Sequence, residues 1–578
     1  MYIDIVPNRR SPPAVLLRQS RREGGKIVKT TLANLSQCPP AAVEALRLAL
    51  RGVTLVPHEE IFAVERSIPH GHVQSVLGVM RSLGMDALLA ARPCRERDLV
   101  LAMIAQRLLD PCSKLATTRV WHTTTLAQEL RVADADANAL YAALDWLHQR
   151  QRRIEKKLAA RHLTDGAVVL FDVSSSSSHG RTCPLARRGY NRDGETLPSI
   201  VYGLLTDGAG RPVAVDVYPG NTGDPATVPD QVEKLRARFR LQRVVLVGDR
   251  GMLTQTQIDA LREYPGVGWM SALRCPAIRA LAEHGAFQPS LFDTPHLAEI
   301  TSDDYPGERL VVCYNPALAA DRARTRDELL TATEARLARI AAAVARRTTT
   351  PMTADEIGVK VGKIINHYKV GKHVDLTIED ALLRFARNDA SIAREAPLDG
   401  IYIIRTSERA DALTAADVVR TYKSLGHVEQ AFRCMKGVDL RVRPIRHRNE
   451  AHVRAHIFLC MLAYYVEHHL RAALSTVLFQ DDDLDAARWT RDPVATAEPS
   501  ESARAKKRTK TTDDGWPVHS LRTLLSALGT RCKNTCRAGN GKNVLRFEQL
   551  TELSPFQQHV FSLLGLTPEH TVPSNPAT

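Results

Sequence analysis

Short apolar runs closed by turn-forming or acidic residues recur through the middle of the chain. Ala167-Val-Val-Leu-Phe171 ends in Asp172, and Val244-Val-Leu-Val247 ends in Gly248-Asp249. Continuous apolar runs of this length, bounded by turn signals, predict buried strands. A carboxylate just past such a run stands at a sheet edge, where a ligand can reach it. Two further strands are predicted between them, Ser199–Leu205 and Pro212–Tyr218, joined by a hairpin turn at Thr206-Asp-Gly-Ala-Gly210. After Pro219-Gly-Asn-Thr222, Asp224 and Pro225 supply an N-cap and a first-position proline for a helix to about Arg240. The predicted order is β-β-β-α-β.

Helical periodicity dominates on either side. Apolar positions in Val73–Leu83, Asp98–Leu109 and Ala139–Leu147 predict a mostly helical stretch over residues 70–160. Ahead of it, Ala14–Ser20 and Lys26–Thr31 flank Arg22-Glu-Gly-Gly25 in a hairpin pattern. Beyond Asp249 come strand-like Arg309–Tyr314, Val374–Ile378 and Gly400–Arg405, and a long Ala/Arg-rich helix over about 322–347. Trp269, just after a strand, is either a core residue or a platform for a displaced base. Residues 449–470 read as an apolar helix in which His468 and His469 pack, and Leu521–Leu528 and Phe556–Phe561 as short helices.

One polar stripe carries chemistry. Tyr422, Glu429 and Lys436 recur every seven residues. At about 100° per residue, seven steps fall about 20° short of two turns, so on a helix the three share a face. At about 1.5 Å per residue the stripe spans roughly 21 Å. A carboxylate flanked by a hydroxyl and an ammonium suits a metal ion held against a phosphate. Taken alone, the pattern is also that of a solvated amphipathic face. Asp249 alone could be a turn residue, and Asp172 alone an N-cap for the serine run 174–178.

Together these features resemble the ribonuclease-H-like core of DDE transposases, and among them the insertion-sequence transposases with a Tyr-x6-Glu-x6-Lys signature. The matching residues are Asp172, Asp249 and the Tyr422/Glu429/Lys436 stretch, with Gly189-Tyr-Asn-Arg-Asp-Gly194, Tyr218-Pro-Gly-Asn-Thr222 and Gly248-Asp-Arg-Gly251 in support. The family signature often has an arginine four residues before the glutamate; that place is Leu425, and Arg433, one turn after Glu429, offers a cation on nearly the same face.

The resemblance implies an α/β (α+β overall) chain with a ribonuclease-H-like mixed sheet core. It implies metal-dependent strand cleavage and strand transfer at the ends of the chain's own DNA element. Asp172, Asp249 and Glu429 would be catalytic and hold two Mg²⁺ ions, with Mn²⁺ able to substitute; Asp172 would bridge both. Mg²⁺ keeps several waters, so one or two carboxylates per ion suffice. Tyr422, Arg433, Lys436, Arg441 and Arg443 would contact DNA. The partners would be double-stranded DNA, as terminal inverted repeats and as target, and a second protomer in the DNA complex. A ribonuclease-H-like nuclease or resolvase that cuts without joining, or a domesticated DNA-binding protein without activity, remains an alternative.

Composition agrees with that picture. The 578 residues carry a formal charge of +14, which favours polyanionic partners. The charge is concentrated at Lys436, Arg441, Arg443, Arg446 and Arg448, beside Glu429. Lys506-Lys-Arg508 and Lys510 are expected in a solvated linker that adds non-specific affinity. The ten cysteines form no framework, and neither His179/Cys183 nor Cys532-x3-Cys536 has a second ligand pair at zinc spacing. No P-loop sequence is present. With no signal peptide or membrane-length apolar run, the expectation is a cytoplasmic protein, nucleoid-associated when on DNA. The expected domains are a hairpin segment (1–60), a helical DNA-end-binding domain (61–160), a catalytic core (161–255 with 415–475), a strand-containing insertion (256–414), and a linker with a helical carboxy-terminal segment (476–578).

Overall fold

The computed structural model describes residues 1–8, 11–53, 62–287, 296–484, 489–538 and 545–567, which fall into two compact units. In the smaller, Tyr2–Val6, Ala14–Glu23 and Lys26–Asn34 form an antiparallel sheet. Its hairpin turns at Gly24-Gly25, with φ of +53° and +81°; positive φ at both central positions is where glycine meets no steric penalty. A second antiparallel sheet joins Phe62–Pro69, Cys532–Ala538 and Leu545–Leu550. Those last two strands lie where only helices were expected, because the segment is polar and lacks the apolar alternation that marks a strand.

The larger unit, His70–Thr530 with Leu553–Pro568, is built on an eight-stranded sheet. Its strands in chain order are β1 (Ala167–Ser177), β2 (Ser199–Asp207), β3 (Pro212–Pro219), β4 (Val244–Val247), β5 (Val267–Ala272), β6 (Leu297–Ile300), β7 (Arg309–Tyr314) and β8 (Ile401–Thr406). The order across the sheet is β6-β7-β8-β5-β4-β1-β2-β3. Strands β1, β2 and β3 are an antiparallel meander, and β4 and β5 run parallel to β1. This 3-2-1-4-5 core is the ribonuclease-H-like mixed sheet that the sequence implies. The inserted strands β6, β7 and β8 extend the same sheet past β5, with β8 antiparallel to it. The insertion also has a core of its own, where Leu330, Leu337, Val344, Ile357 and Val361 bring together the helices Pro316–Arg346 and Ala354–Tyr368.

Helices α1 (Arg95–Leu109) and α2 (Ala137–His162) precede the sheet; α3 (Ala415–Lys423), α4 (Leu425–Lys436) and α5 (Glu450–Ala473) follow it. Helix α5 is apolar nearly all round and runs through the core against α1, α2 and β3, as expected for a helix with no solvent face. Among the described residues no helix is long and apolar enough to cross a membrane.

Three local expectations change. Tyr422 and Glu429 do not share one helix: α3 and α4 meet at Ser424, whose hydroxyl bonds back to the Arg420 carbonyl at 3.1 Å, a contact that bends helices. The helix expected from Asp224 is a 3₁₀ turn (Asp224–Thr227), an α turn (Val228–Glu233) and a π turn (Lys234–Arg238) in succession. Pro229 has no N–H to give the Pro225 carbonyl, so the first turn cannot close as α. Lys506 is not in a solvated linker: it lies on a helix, Glu501–Thr509, 6% exposed and 2.8 Å from Asp482.

The Pro219-Gly-Asn-Thr222 turn is fixed by a close backbone approach. A Cβ on Gly220 would stand 1.9 Å from the Ser199 carbonyl oxygen and 2.6 Å from that of Arg187. Gly220→Ala is therefore expected to destabilise the larger unit by about 1–3 kcal/mol, read as a lowered thermal midpoint; an unchanged midpoint would show that the turn can yield.

Candidate active site

Strand pairing alone brings the two aspartates together. The parallel register sets Val169 beside Leu246 and Leu170 beside Val247, and two residues further on it reaches Asp172 and Asp249. Strand β4 ends at Val247, whereas β1 continues through its serines, paired with β2 as far as Ser177. Asp172 is thus mid-strand rather than at a strand end. It stands where β1 loses its neighbour on one side, past the carboxyl end of β4.

Each aspartate is oriented by its own backbone. Asp172 Oδ1 accepts the Val173 N–H at 2.7 Å. Asp249 Oδ1 accepts the N–H groups of Gly251 and Met252 at 3.0 and 2.7 Å. Gly251 permits this turn, since a Cβ there would come within 3.3 Å of Asp249 Oδ2. Burial pushes the Asp172 carboxyl up to about 7, and the charge of Asp249 acts in the same direction. Arg192, which opposes that shift, is 2.6 Å from Asp224.

The helical residues close the group from the other side. Val428, Ala431, Phe432 and Met435 are the buried face of α4, with Phe432 edge-on to Tyr202 of β2 at 5.7 Å. Glu429 and Arg433 are exposed. Leu425 is buried, so that place offers apolar packing and no cation. Tyr422, at the end of α3, is half-buried; burial raises its hydroxyl to about 12, and the charges of Asp249, Glu429 and Asp172 add to this while Arg250 opposes it. The charges of all three acids thus act on the one Tyr422 hydroxyl despite the bend at Ser424.

Lys436 is turned inward. Its Nζ lies 2.9 Å from Asp193 Oδ1 and donates to the Ser175 carbonyl at 2.7 Å and the Ser174 hydroxyl at 3.2 Å. Arg443 reaches the same Asp193 oxygen at 2.6 Å. The Asp193 side chain is 2% exposed, yet Lys436, the Ser177 N–H and Arg443 hold its carboxyl below the usual range. The Gly189–Gly194 loop is thereby tied to β1 and to α4. Ser175 Oγ accepts the Arg192 N–H at 3.0 Å, and Asn191 Nδ2 donates to Ser177 Oγ at 3.1 Å. The serine run is the loop's anchor. Arg441 is exposed, with a left-handed φ of 47°. Trp269 takes the core alternative: it is 2% exposed on β5, with the Arg405 guanidinium over its ring.

The donors gathered here are hard oxygens that repel one another, the setting a divalent cation relieves. They do not form a closed cage. Among the described residues the single trio of acid, thiol or imidazole ligand atoms within 4.8 Å of one another is Cys434, Asp439 and Glu467, behind α4. There the Arg471 guanidinium already supplies a cation, 2.6 Å from Glu467 and 3.2 Å from Asp439, and no metal is needed to balance the charge. An open oxygen site suits an ion that keeps part of its water shell.

Comparison with protein families matches residues 164–466, just over half of the chain, to the model described as Transposase DDE domain. Comparison with curated proteins found no match.

Two outcomes follow from the electrostatics. The folded carboxyl of Asp172 titrates near 7 against 3.8 unperturbed, so between these values the folded state holds the extra proton and stability falls as pH rises. In metal-free protein Asp172→Asn should therefore raise the thermal midpoint at pH 8 and leave it unchanged at pH 4, with a gain on the order of 1–4 kcal/mol. An equal effect at both pH values would contradict this. Asp193→Ala leaves two cations without their shared acid and should cost about 1–3 kcal/mol, with faster limited proteolysis within the 189–194 loop. Unchanged cleavage would show that the loop is held otherwise.

Proposed function

The chain belongs to the family of transposases with a DDE domain, and on that premise we propose that it is the transposase of an insertion sequence, cutting DNA at its element's ends and joining them to a target. What supports this reading is the parallel register that brings Asp172 and Asp249 to the same level of the sheet, with the charges of both and of Glu429 acting on the Tyr422 hydroxyl.

A DDE domain implies a divalent metal. Asp172, Asp249 and Glu429 would hold two such ions here, as Mg²⁺ with Mn²⁺ able to replace it. Bound there, such an ion supplies a Lewis acid for a phosphoryl oxygen and lowers the pKa of an attacking water or 3′-hydroxyl. The chain's own residues do the rest. Half-buried Asp172, raised to about 7, is poised to give up its proton when a cation arrives. Tyr422, raised to about 12, keeps its proton at neutral pH and so donates a hydrogen bond to a phosphate or base. Exposed Arg433, one turn past Glu429 on α4, stands where a phosphate oxygen would lie. Lys436 and Arg443 act through Asp193, fixing the loop that carries Arg192 beside Asp172. The formal charge of +14 favours the approach of a polyanion. Two ends must be held for joining, so a homodimer on paired inverted repeats is part of the proposal.

Asp172→Ala, Asp249→Ala and Glu429→Ala should each reduce strand cleavage to background while leaving end binding within a few-fold of wild type. Purified protein, element-end duplex and Mg²⁺, with products resolved on a denaturing gel, test this. Loss of binding with cleavage would make the acids structural. Cleavage by the wild type without joined products would favour a nuclease or resolvase.

A further inference from the structure

Residues 441–447, which follow α4, form one wall of a cavity of about 320 Å³; the end of α1 and the residues after it form another. Its floor is cationic and buried: Arg107 is 6% exposed, Lys114 4% and His456 5%. Arg441, Arg443 and Arg446 stand exposed at the rim. No carboxylate lines the cavity. Arg443 at the rim already has its acid in Asp193, but the floor has none.

The floor groups are short of partners. The charges acting on Lys114 are those of Arg107 and of the Cys460 and Cys112 thiols; with burial as the larger cause, they leave its ammonium near 7. Arg107 spends Nη1 on the carbonyls of Leu440 and Arg441 at 3.3 and 3.4 Å, both long contacts. His456 faces the Val442 carbonyl through Nε2 at 2.9 Å, while its buried Nδ1 has no partner. A buried cation without an acid is costly unless an anion enters. A tetrahedral oxyanion relieves this, accepting from Lys114 and answering the Arg107 charge.

The segment that walls the cavity also meets the sheet. Ile445, in its wall segment, bridges to Ser178 at the end of β1, and its carbonyl accepts the His179 N–H at 2.8 Å. The same strand carries Asp172. We propose that this cavity is a socket for one backbone phosphate of the DNA, with Lys114 and Arg107 as its buried cations and Arg446 at its mouth, so that the helical region before the sheet helps to set the strand against the acids. This rests on DNA being the substrate.

The test is a set of element-end duplexes, each with a single neutral methylphosphonate, bound to wild type and to Lys114→Met, whose unbranched chain suits the buried space. Wild type should lose several-fold in affinity at one phosphate, Lys114→Met should show no loss there, and its log–log salt slope should be shallower by about 0.9. Arg446→Gln, exposed and neutral to folding, should weaken the same position if Lys114→Met fails to fold. Identical profiles in wild type and variants would overturn the socket alone. Failure of wild type to bind the duplex would overturn the proposed function with it. Inorganic phosphate separates the remaining source. If it raises the thermal midpoint of DNA-free wild type but not of Lys114→Met, while the methylphosphonate profiles agree, the cavity takes free phosphate and the proposal fails.

Discussion

Parallel pairing of β1 with β4 is the constraint on which the site depends. Two apolar runs in register, Ala167–Leu170 against Val244–Val247, deliver two carboxylates to the same level of the sheet, and the earlier end of β4 leaves β1 without a neighbour on that side. The cost is electrostatic. Burial and the neighbouring Asp249 hold Asp172 near 7, well above an ordinary carboxylate. Such a position persists because the hydrophobic pairing beneath it over-determines the geometry. The chain keeps a destabilised acid where a cation can repair it.

Around that pair the structure is arranged to aim rather than to react. Helix α4 buries Val428, Phe432 and Met435 against the sheet, which turns Glu429 and Arg433 outward. Asp193 then fastens the Gly189–Gly194 loop to Lys436 and Arg443. The two cations that follow Glu429 on α4 thus have different tasks: Arg433 faces solvent and Lys436 holds a loop. Behind them the apolar helix α5 fixes α1 and α2 against the sheet, so residues separated by hundreds of positions, such as Lys114 and Arg446, line one cavity.

Much of this is legible in the sequence where period and composition decide. The strands at 167, 199, 212 and 244, the long insertion helix and the apolar α5 all follow from local pattern. Asp172, Asp249 and Glu429 stand out because an acid interrupts an apolar run or repeats on a helical face. Partners are not legible in that way. Nothing near Lys436 marks Asp193 as its acid, since that pairing spans the whole insertion. Lys506 has the composition of a solvated run, yet Asp482 and the Ser475 carbonyl draw it under cover. The bend at Ser424 hides because a serine is tolerated in a helix, and only its bond back to Arg420 shows that it turns. Arg107 and Lys114 carry no local signal at all.

The central claim is that Asp172, Asp249 and Glu429 together hold the divalent cations. Iron(II) loaded in place of Mg²⁺, followed by peroxide, cuts the polypeptide where the ion sits. The account predicts cuts clustered near 172, 249 and 429 that disappear when Mg²⁺ is in excess and in Asp172→Asn. Cuts near 434, 439 and 467 instead, or cuts unaffected by Asp172→Asn, would contradict it.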